Sequence, residues 1–264
     1  MEEYKLYNGE LTLKFDPNKH VYMVGDKIVY GVTSACGILD KPALKQWAVN
    51  MGVKYLEDNL KLGMTIDEIN KTQLLQGAKY AHRTRLTQAA DIGTAVHLYL
   101  ETYLKAGINK QPLPPLPINK DIRKGVEALL KWTKDNNVKF LSSERKVYSK
   151  KYGYAGTVDG YALVDGKKAI IDFKTSSGIY DEMFLQTSAY AKAIEEEDNI
   201  KIEECWILRI PKDGSVFGTA KDINIDMNFR SFLGCLENYK RMRYLKGEQI
   251  KESKIKLEDI NGSN

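Results

Sequence analysis

The sequence predicts an α/β fold: a mixed central sheet flanked by helices, with a mainly helical N-terminal part. Three observations predict it. From about Glu144 onward, short runs rich in Val, Ile and Tyr alternate with helix-forming stretches, the layout of helices packed on a sheet. Within that region Asp165-Gly166 separates two apolar-alternating runs, the strongest short-range hairpin signal. Between Lys41 and Trp132 the pattern is instead mostly helical. At 264 residues and 43% hydrophobic, the chain can bury a sizeable core. The expectation is one domain over 1–264, with a helical part over 35–136, an α/β core over 140–225 and a flexible tail over 253–264.

Along the chain, Leu11, Leu13 and Phe15 alternate as in a strand, and His20–Met23 and Lys27–Tyr30 flank a Gly25-Asp26 turn. Thr33 or Ser34 is placed to cap the next element. Lys41 to Lys79 is helix-forming, with Gly52 and Gly63 as breaks. Arg85 to Ala106 reads as a longer helix closed by Gly107, with Val96, Leu100, Tyr103 and Leu104 on one stripe. The run Gln111–Pro117 holds four prolines and must be an extended connector. Ile122 to Trp132 returns to helix. Glu144–Ser149, Ala155–Val164 and Lys168–Lys174 read as strands, Asp181–Glu196 as a helix, Glu204–Ile210 and Val216–Ile225 as strands, and Asn228–Leu245 as a closing helix. Its end is rich in Lys and Arg, which suits the helix dipole.

Bulk properties narrow the classes. The formal charge is +5, mildly basic, which permits phosphate binding without demonstrating it. Three widely spaced cysteines, Cys36, Cys205 and Cys235, form no disulfide framework and no Cys-x-x-Cys pair, so they read as small buried hydrophobes in a reducing compartment. No apolar run is long enough to span a bilayer, and Met1-Glu2-Glu3-Tyr4-Lys5 resembles neither a secretory signal nor a transit peptide. The expected location is cytoplasmic, away from membranes.

The hairpin carries the chemistry. With Asp165-Gly166 as a two-residue loop, Val164 pairs with Lys167, and continuing that register sets Asp159 opposite Asp172. Directly opposed residues of antiparallel strands share a face, with Cβ atoms ~5 Å apart. Lys174 is two residues beyond Asp172 and shares that face, whereas Ile171 and Phe173 point toward a core. Opposed carboxylates repel unless something neutralises them, and carboxylate oxygens suit a hard divalent cation such as Mg²⁺. The Asp172-x-Lys174 triplet alone describes an exposed ion pair equally well. The second carboxylate is what points to a metal.

These residues resemble a known family. Gly156-Thr157-Val158-Asp159, then Ile171-Asp172-Phe173-Lys174-Thr175-Ser176, then Gln186-Thr187-Ser188-Ala189-Tyr190 is similar to the RecB-like branch of the PD-(D/E)XK nucleases. That branch includes stand-alone phage and bacterial exonucleases and the mitochondrial genome maintenance exonuclease. The opening segments His20-Val21-Tyr22, Gly31-Val32-Thr33-Ser34 and Ala43-Leu44 with Trp47 also resemble these stand-alone nucleases, with no role assigned to them. The resemblance runs from about His20 to Trp206 and implies a restriction-endonuclease-like core.

What the resemblance implies is specific. Asp159, Asp172 and Lys174 are the catalytic residues. The metal ligands are Asp159, Asp172, the backbone carbonyl of Phe173, and His97 from Gly93-Thr94-Ala95-Val96-His97. An imidazole ligand favours tolerance of Mn²⁺ beside Mg²⁺. Glu101, one turn beyond His97, is placed to hold the second imidazole nitrogen. Gln186 and Tyr190, four apart on one helical face, support the site or fill the core. Glu144 either supports the site or is an exposed strand-end glutamate. Thr175 and Ser176 either bind DNA phosphate or cap a chain turn. Relatives with an iron–sulfur cluster carry four cysteines, so no cluster is expected here.

The favoured reading is a metal-dependent exonuclease acting on single-stranded DNA or DNA ends in replication, recombination or repair, inside a bacterial or phage-infected cell. Recombination or replication proteins are its expected partners. The alternatives are a structure-specific or restriction-type endonuclease, with the same catalytic residues, and a non-cleaving DNA-binding subunit. Degenerate members usually lose an Asp or the Lys, and all are present here.

Overall fold

The structure is a computed structural model that describes residues 1–212 and 214–247. The expected tail over 253–264 lies outside the described residues. The chain has the α/β architecture that the sequence predicts, a mixed central sheet flanked by helices.

The first strands form an antiparallel meander: β1 (Glu2–Leu6), β2 (Leu11–Asp16), β3 (Val21–Val24) and β4 (Lys27–Gly31). The strand β1 was not anticipated, because Glu2-Glu3 and Lys5 mask its alternation. Its pairing with β2 and the buried Leu6 hold it in place. Leu6, Leu13, Phe15, Tyr22 and Ala155 make a separate apolar cluster under the meander. A short helix, α1 (Val32–Cys36), comes directly after it. Its N-cap is Gly31, with no side-chain cap bond, so neither Thr33 nor Ser34 caps it; both lie within the helix.

Residues Asp40–Leu100 form a compact unit of their own. It holds α2 (Pro42–Asn59) and most of α3 (Glu68–Ile108). The helix α2 runs through Gly52 without a break. A Cβ there would sit 3.1 Å from the Ala78 carbonyl oxygen, so Gly52 serves close helix packing rather than termination. Gly63 does lie in the break, at φ +79°. The long helix begins well before Arg85 and runs 41 residues, longer than propensity alone suggested. It ends at Ile108, and left-handed Lys110 (φ 55°) closes it, not Gly107. Val96, Leu100 and Leu104 are buried as their stripe predicted.

The second unit comprises Met1–Leu39 and the chain from Glu101 onward. After α4 (Lys120–Asp135), whose Asn119 cap accepts from two backbone N–H groups, come β5 (Lys139–Ser149), β6 (Tyr154–Val164) and β7 (Lys167–Lys174). Next are α5 (Glu182–Asp198), β8 (Glu204–Arg209), β9 (Gly218–Asp222) and α6 (Ile225–Leu245). The strand β8 joins β7 in parallel, and α5 is the crossover between them. The sheet order is β1-β2-β3-β4-β6-β7-β8-β9, with β5 on β6. Fully buried Tyr154, Ile170, Ile194, Ile202 and Phe232 lock α5 and α6 to the sheet. Each such side chain stabilises by about 1.5–3 kcal/mol. All three cysteines are buried and free. Among the described residues no helix is long and apolar enough to cross a membrane.

Candidate active site

The hairpin forms as its turn chemistry requires. Asp165 (φ 47°) and Gly166 (φ 83°) are both left-handed, as a two-residue turn of this type demands. The register runs from Val164 opposite Lys167 to Gly160 opposite Ile171, in the alignment expected from the sequence. The ladder then stops, one residue short of the two aspartates.

The reason lies in how β6 is shared. β5 pairs with β6 along one edge, from Ser149 opposite Tyr154 to Lys139 opposite Leu163. The other edge has two partners. Parallel β4 takes Tyr154 and Ala155, and antiparallel β7 takes Gly160 to Val164. Residues 156–159 fall between them, in a fork where no strand pairs on that edge. At its inner end the Asp159 carboxylate replaces a strand neighbour: the Phe173 N–H donates to its Oδ2 at 2.8 Å.

Asp172 is 1% exposed. Its Oδ2 lies 2.6 Å from Lys174 Nζ, an ion pair, but without the alignment of a hydrogen bond, so that oxygen has no hydrogen-bond partner. Burial pushes the Asp172 carboxyl up to about 7, with Lys174 opposing and Asp159 adding to the shift. For Lys174 burial acts downward, and the Asp172 and Asp159 carboxylates outweigh it, so its net shift is upward. One ammonium therefore faces two carboxylates.

The helix α5 supplies the surrounding support. Lys174 Nζ donates to Gln186 Oε1 at 3.2 Å. The Gln186 amide in turn donates to the Tyr190 hydroxyl at 2.8 Å and to Thr33 Oγ1 at 3.3 Å. Gln186 and Tyr190 thus share the helical face their spacing predicted. Tyr190 is buried, and burial with the charge on Asp172 raises its hydroxyl far above the ordinary phenol range. Its ring crosses Gly156 so closely that a Cβ there would sit 2.5 Å from Cε1. That contact explains the glycine in Gly156-Thr157-Val158-Asp159. Thr157 Oγ1 is bonded to the Tyr22 hydroxyl at 2.8 Å, which ties the meander to the same strand.

Glu144 is not a strand-end residue. Ser143 pairs with Gly160 and Arg145 with Val158, so Glu144 sits mid-strand, opposite Asp159. Its backbone is left-handed (φ 54°), unusual for a non-glycine within a strand. Burial and the Asp159 charge push its carboxyl up to about 7, against Lys146 at 3.8 Å. Glu144, Asp159 and Asp172 therefore lie level across β5, β6 and β7. Among the described residues no three His, Cys, Asp or Glu side chains converge as a ready-made metal cage.

Glu101 accepts an ion-paired hydrogen bond from Lys105 one turn on, and its charge raises Glu144 further. His97 is half-buried on α3, within the unit Asp40–Leu100. Thr175 is half-buried after β7. Ser176 Oγ donates to the Gly178 carbonyl at 2.7 Å, a turn-stabilising contact. Trp132 packs edge-on against Trp206 at 5.1 Å. Sequence reasoning singled out Thr33 as a candidate cap and its segment by resemblance, and gave no sign that it would reach Gln186.

No protein-family model matches this chain, and no curated protein matches it. Among solved structures it is similar to SSO0001, at 15% identity and a TM-score of 0.33, over 76% of this chain and 86% of that one. It is also similar to the alkaline exonuclease LHK-Exo from Laribacter hongkongensis, at 11% identity and a TM-score of 0.27, over 57% of this chain and 84% of that one. The complex of LHK-Exo with dAMP matches at 10% identity and the same TM-score, 0.27. Likeness this slight assigns neither a family nor an activity to the chain.

Proposed function

We propose that this chain is a metal-dependent DNA nuclease of the PD-(D/E)XK type, acting as an exonuclease on single-stranded DNA or DNA ends. One observation carries the reading: at the fork of β6, Asp159 and buried Asp172 come together beside Lys174, with one Asp172 oxygen lacking a hydrogen-bond partner. A buried carboxylate oxygen outside any hydrogen bond is costly unless a cation completes it. The donors are hard oxygens, which fit Mg²⁺ or Mn²⁺. Asp159, Asp172 and the Phe173 carbonyl would hold that ion. Once bound, it would acidify a water and stabilise charge on a phosphate.

The protein's own groups do the rest. Lys174 carries three N–H donors. Gln186 accepts from one of them and Asp172 pairs with the ammonium by charge, so N–H donors remain for a phosphate oxygen or the attacking water. Gln186 and Tyr190 hold the ammonium in place, and the buried wall of Phe173 and Ile171 behind β7 keeps the strand rigid. Glu144, level with Asp159, adds negative charge that favours cation binding.

The test uses purified protein with linear single-stranded, linear duplex and closed circular DNA, with Mg²⁺, Mn²⁺ or chelator, and Lys174→Ala alongside. Metal-dependent loss of linear DNA, absent in the variant, is the expected result. Cleavage of the circle would select an endonuclease instead. Binding without cleavage under either metal would overturn the enzymatic reading.

A further inference from the structure

The segment Gly31-Val32-Thr33-Ser34 takes no part in the proposed chemistry, yet it reaches the candidate site. Gly31 ends β4, pairing with Ala155 of β6, and Thr33 comes two residues later at the start of α1. The Tyr22–Thr157 hydrogen bond fastens the same meander to β6 a second time. Thr33 is therefore held by the strand that carries Asp159, while Gln186 arrives from α5.

The Gln186 amide has one acceptor end and one donor end. The Lys174 ammonium only donates, so only the carbonyl of Gln186 can face it. The amide nitrogen must then find acceptors on the opposite side. The Tyr190 hydroxyl is one, at 2.8 Å, and Thr33 Oγ1 is the other, at 3.3 Å. With one acceptor the amide can pivot about a single bond. With two, its flip state and its direction are both set. We infer that Thr33 is a positioning residue: its hydroxyl holds the Gln186 amide so that the carbonyl stays aimed at Lys174. The contact stands on geometry alone, and its effect on turnover rests on the nuclease reading.

The closing experiment separates the two. Thr33 is exposed, so Thr33→Val, which keeps the shape and removes the acceptor, should fold and melt as the wild type does. In ¹⁵N-labelled protein the side-chain amide signals of Gln186 are identified by their loss in Gln186→Ala. Thr33→Val is expected to shift those signals and draw the two proton resonances together, and Thr33→Ser to restore them. On linear DNA with Mn²⁺, Thr33→Val is expected to lower kcat about tenfold while KM changes less than about twofold, the mark of a contact that acts on the chemical step. Thr33→Ser should recover most of that loss, and Thr33→Val should cost nothing further in a Gln186→Ala background. Unmoved Gln186 signals, or an unchanged kcat in an active enzyme, overturn the positioning role. If wild-type protein cleaves no DNA but the signals respond as described, the contact stands and the nuclease reading falls.

Discussion

The backbone N–H of Phe173 donates to the Asp159 carboxylate at 2.8 Å, at the point where the hairpin ladder between β6 and β7 gives out. One side chain therefore has two tasks: it closes the sheet at its fork, and it presents charge to whatever binds there.

Substitutions at Asp159 should separate those tasks. Asp159→Ala leaves the Phe173 N–H without its partner and should destabilise the protein by about 1–3 kcal/mol as well as abolish cleavage. Asp159→Asn keeps an acceptor and should hold most of the stability while losing metal-dependent activity. Urea midpoints beside cleavage assays check this. Equal destabilisation by both variants would remove the structural task from Asp159.

Divalent metal should stabilise the protein without any substrate. An ion at a hundred times its dissociation constant adds about 2.7 kcal/mol to the folded state. Thermal melts with Mn²⁺ should therefore shift upward in the wild type. Asp172→Ala should not respond. A shift that persists in that variant would place the ion elsewhere.

Gly156→Ala should act through Tyr190. The new methyl would meet the ring at 2.5 Å, forcing the ring or strand aside, at a cost of about 1–3 kcal/mol with loss of activity. In a Tyr190→Ala background the same change should cost little in stability. A full penalty in both backgrounds would assign the strain to the β6 backbone instead.

Acid stability should depend on Glu204, remote from the fork. It is buried, and its Oε1 meets Lys167 at 3.0 Å and Lys221 at 3.3 Å while Oε2 accepts from Trp206 Nε1 at 3.0 Å. Burial alone would raise its pKa, but those three partners outweigh it and the net shift is downward. A depressed folded-state pKa means stability that is complete above the unfolded value, about 4.3, and lost as pH falls through the folded value. Denaturant titrations from pH 7 to pH 3 should show that loss in the wild type and a flatter profile in Glu204→Gln. Parallel profiles would show that Glu204 contributes none of the slope.

Much of the site was legible because its parts are local. A two-residue turn with both residues left-handed admits one register, and the period of two then assigns every side chain of β6 and β7 to a face. That reasoning placed Asp159, Asp172 and Lys174 together and put Phe173 and Ile171 in the core. The four-residue spacing of Gln186 and Tyr190 was readable in the same way.

Other features depend on chain segments far apart in sequence. Nothing local in Glu144 tells that β5 begins at Lys139 and carries it to mid-strand opposite Asp159. Gly52 reads as a break from propensity, yet helix packing keeps it inside α2. The fork arises because β4, from far earlier in the chain, takes the start of the edge that β7 takes further on. The sequence by itself determined the hairpin, its register and the charges on one face, since these derive from backbone sterics and strand periodicity. Only the tertiary structure decided where the ladder stops and that Thr33 meets Gln186 across 153 positions of chain, because such contacts are set by how whole elements pack.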